Sequence, residues 1–282
     1  MARIRIVTDS ASDIAQGQFP GVVVVPLAVT FGDATFLDGV TLTHEQFYER
    51  LIESDELPTT SMISPGQFTE AFAEAVEAGE DVVAVVLSSK LSGTYESALI
   101  AAQQFPERVH VADTMNATLG ERVLVEYAMR LRDEGLDAAA IAQEVEAQRD
   151  RVRTIGVLDT LEYLRKGGRI SGAAATVGEL LSIKPVVWVD EGEVRQLGKA
   201  RGSKNGNNFL IQACQKNGVD FTMPHCVGYS GLDDKFLAKY VKDSEPLWRV
   251  YVDELPVSTI GATIGTHVGP GAIAVAFFAR ER

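Results

Sequence analysis

Short continuous apolar runs recur through the first half of the chain, at Ile4–Val7, Val22–Leu27, Val82–Leu87 and Val109–Val111. Runs of this length without polar alternation predict strands covered on both faces. Between them the period changes to that of a helix. Thr43-His-Glu-Gln46 and Ser64-Pro-Gly-Gln67 carry the reciprocal capping pattern, the second with proline at the first helical position, and predict helices over about 44–54 and 65–79. Amphipathic stretches at Tyr95–Gln104, Arg122–Glu134 and Ala138–Val152 complete a strand–helix alternation, which predicts a parallel sheet with helices on both faces. Phe31-Gly-Asp-Ala34 predicts a small hairpin inserted after the second strand.

Beyond about Thr154 the rhythm changes. Pro185–Val189 and Val194–Leu197 flank Asp190-Glu-Gly-Glu193, the composition of an antiparallel hairpin. Helices are expected at Lys204–Lys216 and Asp233–Lys242, and strands at His225–Tyr229, Leu247–Val252 and Ala272–Phe278. The expected fold class is α/β: an N-terminal parallel-sheet, three-layer α/β domain over residues 1–153, followed by a C-terminal two-layer α+β domain with a mixed sheet over residues 154–282. No repeat of fixed period interrupts this plan.

Composition narrows the class of protein. A chain of 282 residues, 46% hydrophobic and 23% charged, has the length of two ordinary domains and enough apolar residues for a substantial core. Its net charge of -13 weighs against binding nucleic acid or anionic lipid through the overall field. Cys214 and Cys226 are the only cysteines; without paired spacing they read as reduced, buried thiols rather than a zinc site. The opening MARIRIVTDS turns polar too soon for the apolar region of roughly 7–15 residues that a secretory signal needs. Leu255–Ala279 is free of Asp, Glu, Lys and Arg, but glycines, a proline and His267 punctuate it, so Ile264–Phe278 reads as a glycine-rich turn feeding a buried strand. A cytoplasmic protein without an integral membrane segment is expected.

Candidate chemistry concentrates in four segments rich in hydroxyls and glycine. The sequence holds no phosphate loop, no GxGxxG after a strand, no HExxH and no true GxSxG elbow. Thr8-Asp-Ser-Ala-Ser-Asp13 can cap a helix or present hydroxyls at the carboxyl edge of the sheet, and Pro58-Thr-Thr-Ser61 reads as a polar loop between two helices. Ser88-Ser-Lys-Leu-Ser-Gly-Thr-Tyr95 follows the most apolar strand; amides of Gly93 and Thr94 beside the Ser92 hydroxyl would suit an anion, or serve only as a cap. In Ile260–Gly271, His267 sits among glycines that let a backbone approach a ligand or another chain closely. His44, His110 and His225 read as structural. Arg165-Lys-Gly-Gly-Arg169 is a compact cationic cluster that could meet a phosphate or an acidic partner, or simply be a solvated turn.

Together these pieces resemble the DegV family of bacterial fatty-acid-binding proteins. The resemblance rests on Val7-Thr-Asp-Ser10, Thr60-Ser61 ahead of Ser64-Pro65-Gly66, Leu91-Ser-Gly-Thr-Tyr95, Leu161-Glu-Tyr-Leu-Arg-Lys-Gly-Gly-Arg-Ile-Ser171, Ile183-Lys-Pro185 and Ile264-Gly-Thr-His-Val-Gly-Pro-Gly271. Each piece is weak alone; six in family order are specific. The resemblance implies two domains with a long-chain fatty acid in a tunnel between them and no other cofactor. It further implies a lipid-binding subunit of fatty acid kinase, whose separate ATP-binding subunit makes an acyl phosphate for phospholipid synthesis. Carried over by residue, Thr60 and Ser92 would hold the carboxylate, with Ser61 a lesser contributor, Gly93 and Thr94 at the helix start, His267 in the polar network, and Arg169 near the kinase-facing surface. Two departures stand out: Met62-Ile63 replaces a more usual Gln-Pro, and Ala200-Arg-Gly-Ser-Lys204 is less basic than the family segment.

A carrier also makes energetic sense. Burying roughly 14 methylenes at ~0.8 kcal/mol each gives about 11 kcal/mol before binding costs. The opposing reading is a hydrolase with Ser92 as nucleophile, His267 as base and Asp9 or Asp113 as orienter.

Overall fold

The apolar runs of the first half can bury both faces only inside a helix-covered sheet, and that is where they lie. The computed structural model describes residues 3–170 and 182–281; Ser171, the last residue of the cationic motif, falls outside them. In chain order the first part comprises β1 (Arg3–Asp9), β2 (Val22–Val25), β3 (Ala28–Phe31), β4 (Ala34–Leu37), α1 (His44–Glu53), β5 (Thr59–Ser61), α2 (Pro65–Glu77), β6 (Glu80–Val86), α3 (Thr94–Ala102), β7 (Val109–Asp113), α4 (Leu119–Asp133) and α5 (Ala138–Gln148). Strands β2-β1-β6-β7 form an all-parallel sheet. Helices α2 and α3 pack together on one face, α4 and α5 on the other. Both capping patterns form as read: Thr43 and Ser64 accept from the amides of Gln46 and Gln67, whose side chains accept from the capping residues in return.

The second part comprises β8 (Val152–Val157), α6 (Glu162–Lys166), β9 (Ile183–Asp190), β10 (Glu193–Arg201), α7 (Gly202–Asn217), β11 (His225–Tyr229), α8 (Lys235–Asp243), α9 (Glu245–Trp248), β12 (Val257–Thr259), α10 (Ala262–Val268) and β13 (Ile273–Phe278). Its sheet runs β10-β9-β8-β13-β11-β12, antiparallel except for the β11–β12 pair, so it is mixed. The β9–β10 hairpin turns on Glu191 and Gly192, both with positive φ, as a two-residue turn that follows strand twist demands. Helix α4 lies between the two sheets, touching β1 and β6 on one side and β8, β11 and β13 on the other. One apolar cluster therefore runs from Ile6 and Val83 through Leu124 to Ala276 and Phe278. No helix among the described residues is long and apolar enough to cross a membrane. Both cysteines are free and buried, and burial pushes each thiol up to about 12.

Three local readings need correction. Pro58–Ser61 is not a loop: Thr59–Ser61 is β5, pairing antiparallel with β3 so that Thr60 faces Val29. The β3–β4 hairpin does form, and β5 adds its third strand. Leu247–Val252 is not a strand, because Pro246 near the start of α9 favours a helical turn and Trp248 donates its indole N–H to Val241 O and Ser244 Oγ. Ile264–Val268 is helical rather than a glycine-rich turn. At Gly265 a Cβ would sit 2.5 Å from the Phe47 ring and 2.6 Å from the Tyr48 hydroxyl, so this glycine admits α1 against α10 instead of bending the chain.

The start of α10 is held by carboxylates from the other end of the sequence. Asp38 accepts from the amides of Ala262 and Thr263 at 3.1 and 2.9 Å, and Asp13 from Gly261 at 2.8 Å and from the Thr118 hydroxyl. Asp9 accepts from Leu87 and Ala11, tying β1 to the end of β6. Thr8–Asp13 is thus structural linkage, with burial pushing Asp9 up to about 6 and Asp13 up to about 7. A carboxyl whose folded-state value is raised stabilises the fold fully below its ordinary value near 3.8, and that contribution is lost as pH rises through 7. Asp13→Asn still accepts from Gly261 and can donate its Nδ2 to the Thr118 hydroxyl, without the titration. Urea denaturation from pH 4 to 8 should show the variant gaining on the parent as pH rises, by a few kcal/mol in total at about 1.4 kcal/mol per pH unit; parallel curves would refute this.

Candidate functional site

Between the carboxyl edge of the parallel sheet and one face of the mixed sheet lies a cavity enclosing about 920 Å³ of empty space, in part open to solvent. Leu27 and Leu87 reach it from the ends of β2 and β6, Leu91 from the loop before α3, Gly156 and Leu158 from β8 and beyond, and Val187 and Trp188 from β9. Ile264 and Val268 close it from α10. The wall is overwhelmingly apolar, and its chemistry favours a hydrocarbon occupant.

Thr118, Thr154 and Thr263 put hydroxyls on the wall that are already bonded within the protein, and a further polar group gathers at one end. Thr60, Ser61, Ser92, His267 and Arg169 all line the cavity. Thr60 Oγ1 and His267 Nε2 are 2.9 Å apart, joining β5 to α10. Arg169 donates to the carbonyls of Leu91, beside Ser92, and Gly167, and Gly167 lies against the His267 ring. Burial first, and the nearby Arg169 charge second, push His267 down to about 4, so its ring is neutral at pH 7. Its Nδ1 is buried without a hydrogen-bond partner among the described residues. Arg169 is paired with no carboxylate among them.

Gly93 and Thr94 stand behind this end and do not line the cavity. The Thr94 amide donates to Ser92 Oγ at 3.3 Å and the two hydroxyls are 2.9 Å apart, so Thr94 orients Ser92. Arg169, expected near a partner-facing surface, is half-buried in the cavity wall, whereas Arg165 and Lys166 are exposed. The hydrolase relay is not assembled: His267 bonds Thr60 rather than Ser92, Asp9 is committed to Leu87 and Ala11, and Asp113 accepts from Ser89 and Met115. Ala117 and Thr118 also line the cavity and escaped the sequence reading. Their position just after β7, on the same sheet edge as Ser88–Tyr95, was the available signal.

The chain is an α/β protein with an apolar cavity between two sheets, its wall carrying hydroxyls, an imidazole and a guanidinium. This chain belongs to the DegV family, whose profile, described as an uncharacterised protein family, matches residues 3–280. A DegV domain-containing protein of Caldanaerobacter subterraneus is 35% identical over 282 residues, covering 98% of this chain and 99% of the relative. Among solved structures, a fatty-acid-binding DegV family protein from Thermus thermophilus superposes with a TM-score of 0.87 at 37% identity, over 99% of this chain and 100% of its own. The Streptococcus pneumoniae fatty acid kinase B3 protein, loaded with linoleic acid, shares the fold with a TM-score of 0.87 at 23% identity, over 99% and 100% of the two chains.

Thr60→Val keeps the shape of residue 60 but leaves His267 Nε2 without its partner. Chemical denaturation should register a loss of about 1–3 kcal/mol, and an unchanged midpoint would mean that the Thr60–His267 bond does not hold β5 to α10.

Proposed function

We propose that this protein binds one long-chain fatty acid between its 1–153 and 154–282 domains and presents the carboxylate to a separate ATP-dependent kinase, which forms the acyl phosphate used in phospholipid synthesis. The observation that carries this reading is an apolar cavity on whose wall Thr60, Ser92, His267 and Arg169 are gathered at one end. The tail supplies affinity at ~0.8 kcal/mol per buried methylene, and the head sets orientation. A carboxylate in such a place needs donors to offset its desolvation. Ser92, oriented by Thr94 and the turn at Gly93, supplies one, with Ser61 beside it. With the Thr60 hydroxyl donating to Nε2, His267 carries its proton on Nδ1 and offers a second. Arg169 supplies the compensating charge, and with exposed Arg165 and Lys166 forms the cationic face toward the kinase.

The solved relatives' own ligands support the fatty acid, and the likeness to a fatty acid kinase B protein supports the partner. Native mass spectrometry of the purified protein, followed by lipid extraction, should find one fatty acid per chain. A chain that is empty and takes up no long-chain fatty acid after delipidation would sink the carrier reading. Ser92→Ala should weaken binding on the order of tenfold, as expected for one hydrogen bond to a charged group. Arg169→Ala should slow acyl phosphate formation by a cognate kinase to a similar degree. Parent rates in both variants would place the carboxylate elsewhere.

A further inference from the structure

One flexible side chain covers the polar end of the cavity. Met62 lines the cavity and is nevertheless 57% exposed, so its side chain borders both the interior and solvent. Its backbone is fixed on both sides, by Thr60 in β5 and by Ile63, which is 1% exposed and leads into the capping box of α2. The sulfur rests on Gly93, where a Cβ would lie 2.6 Å away, immediately beside Ser92. Met62 therefore spans from the β5–α2 segment to the start of α3 across the head-group end. The contact is dispersion between a thioether and a bare backbone, with no hydrogen bond or charge to strengthen it.

We propose that Met62 is an oxidisable latch: the thioether closes the head-group end and slows ligand exchange, and its conversion to the sulfoxide releases the closure. This rests on the cavity being the ligand site. Of the four described methionines, Met115, Met129 and Met223 are only partly accessible, and Met62 alone is exposed, so a peroxide meets it first. The sulfur lone pair attacks one peroxide oxygen; the O–O bond breaks, an S–O bond forms, and sulfur loses two electrons while the peroxide leaves as water or an alcohol. The seat on Gly93 has no room for an added oxygen on its near side, so the sulfoxide cannot keep the closed contact. The open position is then preferred.

The test is stopped-flow dissociation of a fluorescent long-chain fatty acid from untreated protein, from protein treated with hydrogen peroxide, and from Met62→Leu and Met62→Ala, with peptide mass spectrometry locating the sulfoxide. Oxidation and Met62→Ala should each speed dissociation on the order of tenfold, the rate equivalent of about 1.4 kcal/mol of lost closure. Met62→Leu, which cannot be oxidised, should show no change on peroxide treatment. The latch is overturned if Met62 resists peroxide, if its sulfoxide leaves the rate unchanged, or if Met62→Leu responds to peroxide as the parent does. Should the protein take up no fatty acid, the functional reading fails alone. The same variants with anilinonaphthalene sulfonate, an apolar anion, still read the latch, and equal exchange in parent and Met62→Ala would overturn it.

Discussion

The hydrogen bonds that the amides of Gly261, Ala262 and Thr263 donate to Asp13 and Asp38 govern much of this molecule. They join the first 40 residues to residues 261–263 and fix a helix that carries both a cavity wall and His267. The carboxylates satisfy donors that no residue of α10 itself caps. Their burial has a cost, visible in Asp13 pushed up to about 7 and Asp38 raised as well, which makes this linkage weaker in alkaline than in acid solution. Because α10 also packs on α1 through Gly265, the same linkage positions the β3–β4–β5 sheet and, through it, Thr60.

The cavity follows from this arrangement. Two sheets that share α4 between them cannot close face to face at the carboxyl edge of the parallel one, and the space left there is lined by whatever ends each strand. Leucine and valine end most of them; hydroxyls end the loops before α2 and α3. Amphipathic character thus comes from strand-end composition, with a polar cluster created where β5, the α3 loop and α10 converge. The β9–β10 hairpin completes the enclosure, its tip tied to the first sheet by the Ser88 hydroxyl donating to Gly192 O at 2.8 Å.

His267 illustrates how position sets chemistry. In water an imidazole is half-charged near pH 6.5; buried beside Arg169 it stays neutral well below that. A neutral ring leaves the charge of this polar cluster to Arg169, so charge and hydrogen bonding fall to different residues. An unpartnered Nδ1 in such surroundings is costly unless something at the cavity satisfies it.

Much of this was legible in sequence because it is local. The capping boxes at Thr43 and Ser64, the Gly32-Asp33 and Glu191-Gly192 turns and the doubly apolar strands each declare themselves within a few residues, where hydrogen-bonding and backbone sterics act. The order of motifs from Val7 to Gly271 identified the family for the same reason: each motif is a short, self-contained piece of chemistry. What only the tertiary structure decided is what depends on partners far along the chain. Thr59–Ser61 became a strand because β3 offered an edge, and Ile264–Val268 became a helix because Asp38 capped it and Phe47 and Tyr48 required a bare backbone at Gly265. Thr60 and His267, 207 residues apart, meet only through those two events. Pairings of that kind are set by the complementarity of whole surfaces brought together on folding, and a local pattern carries no record of it.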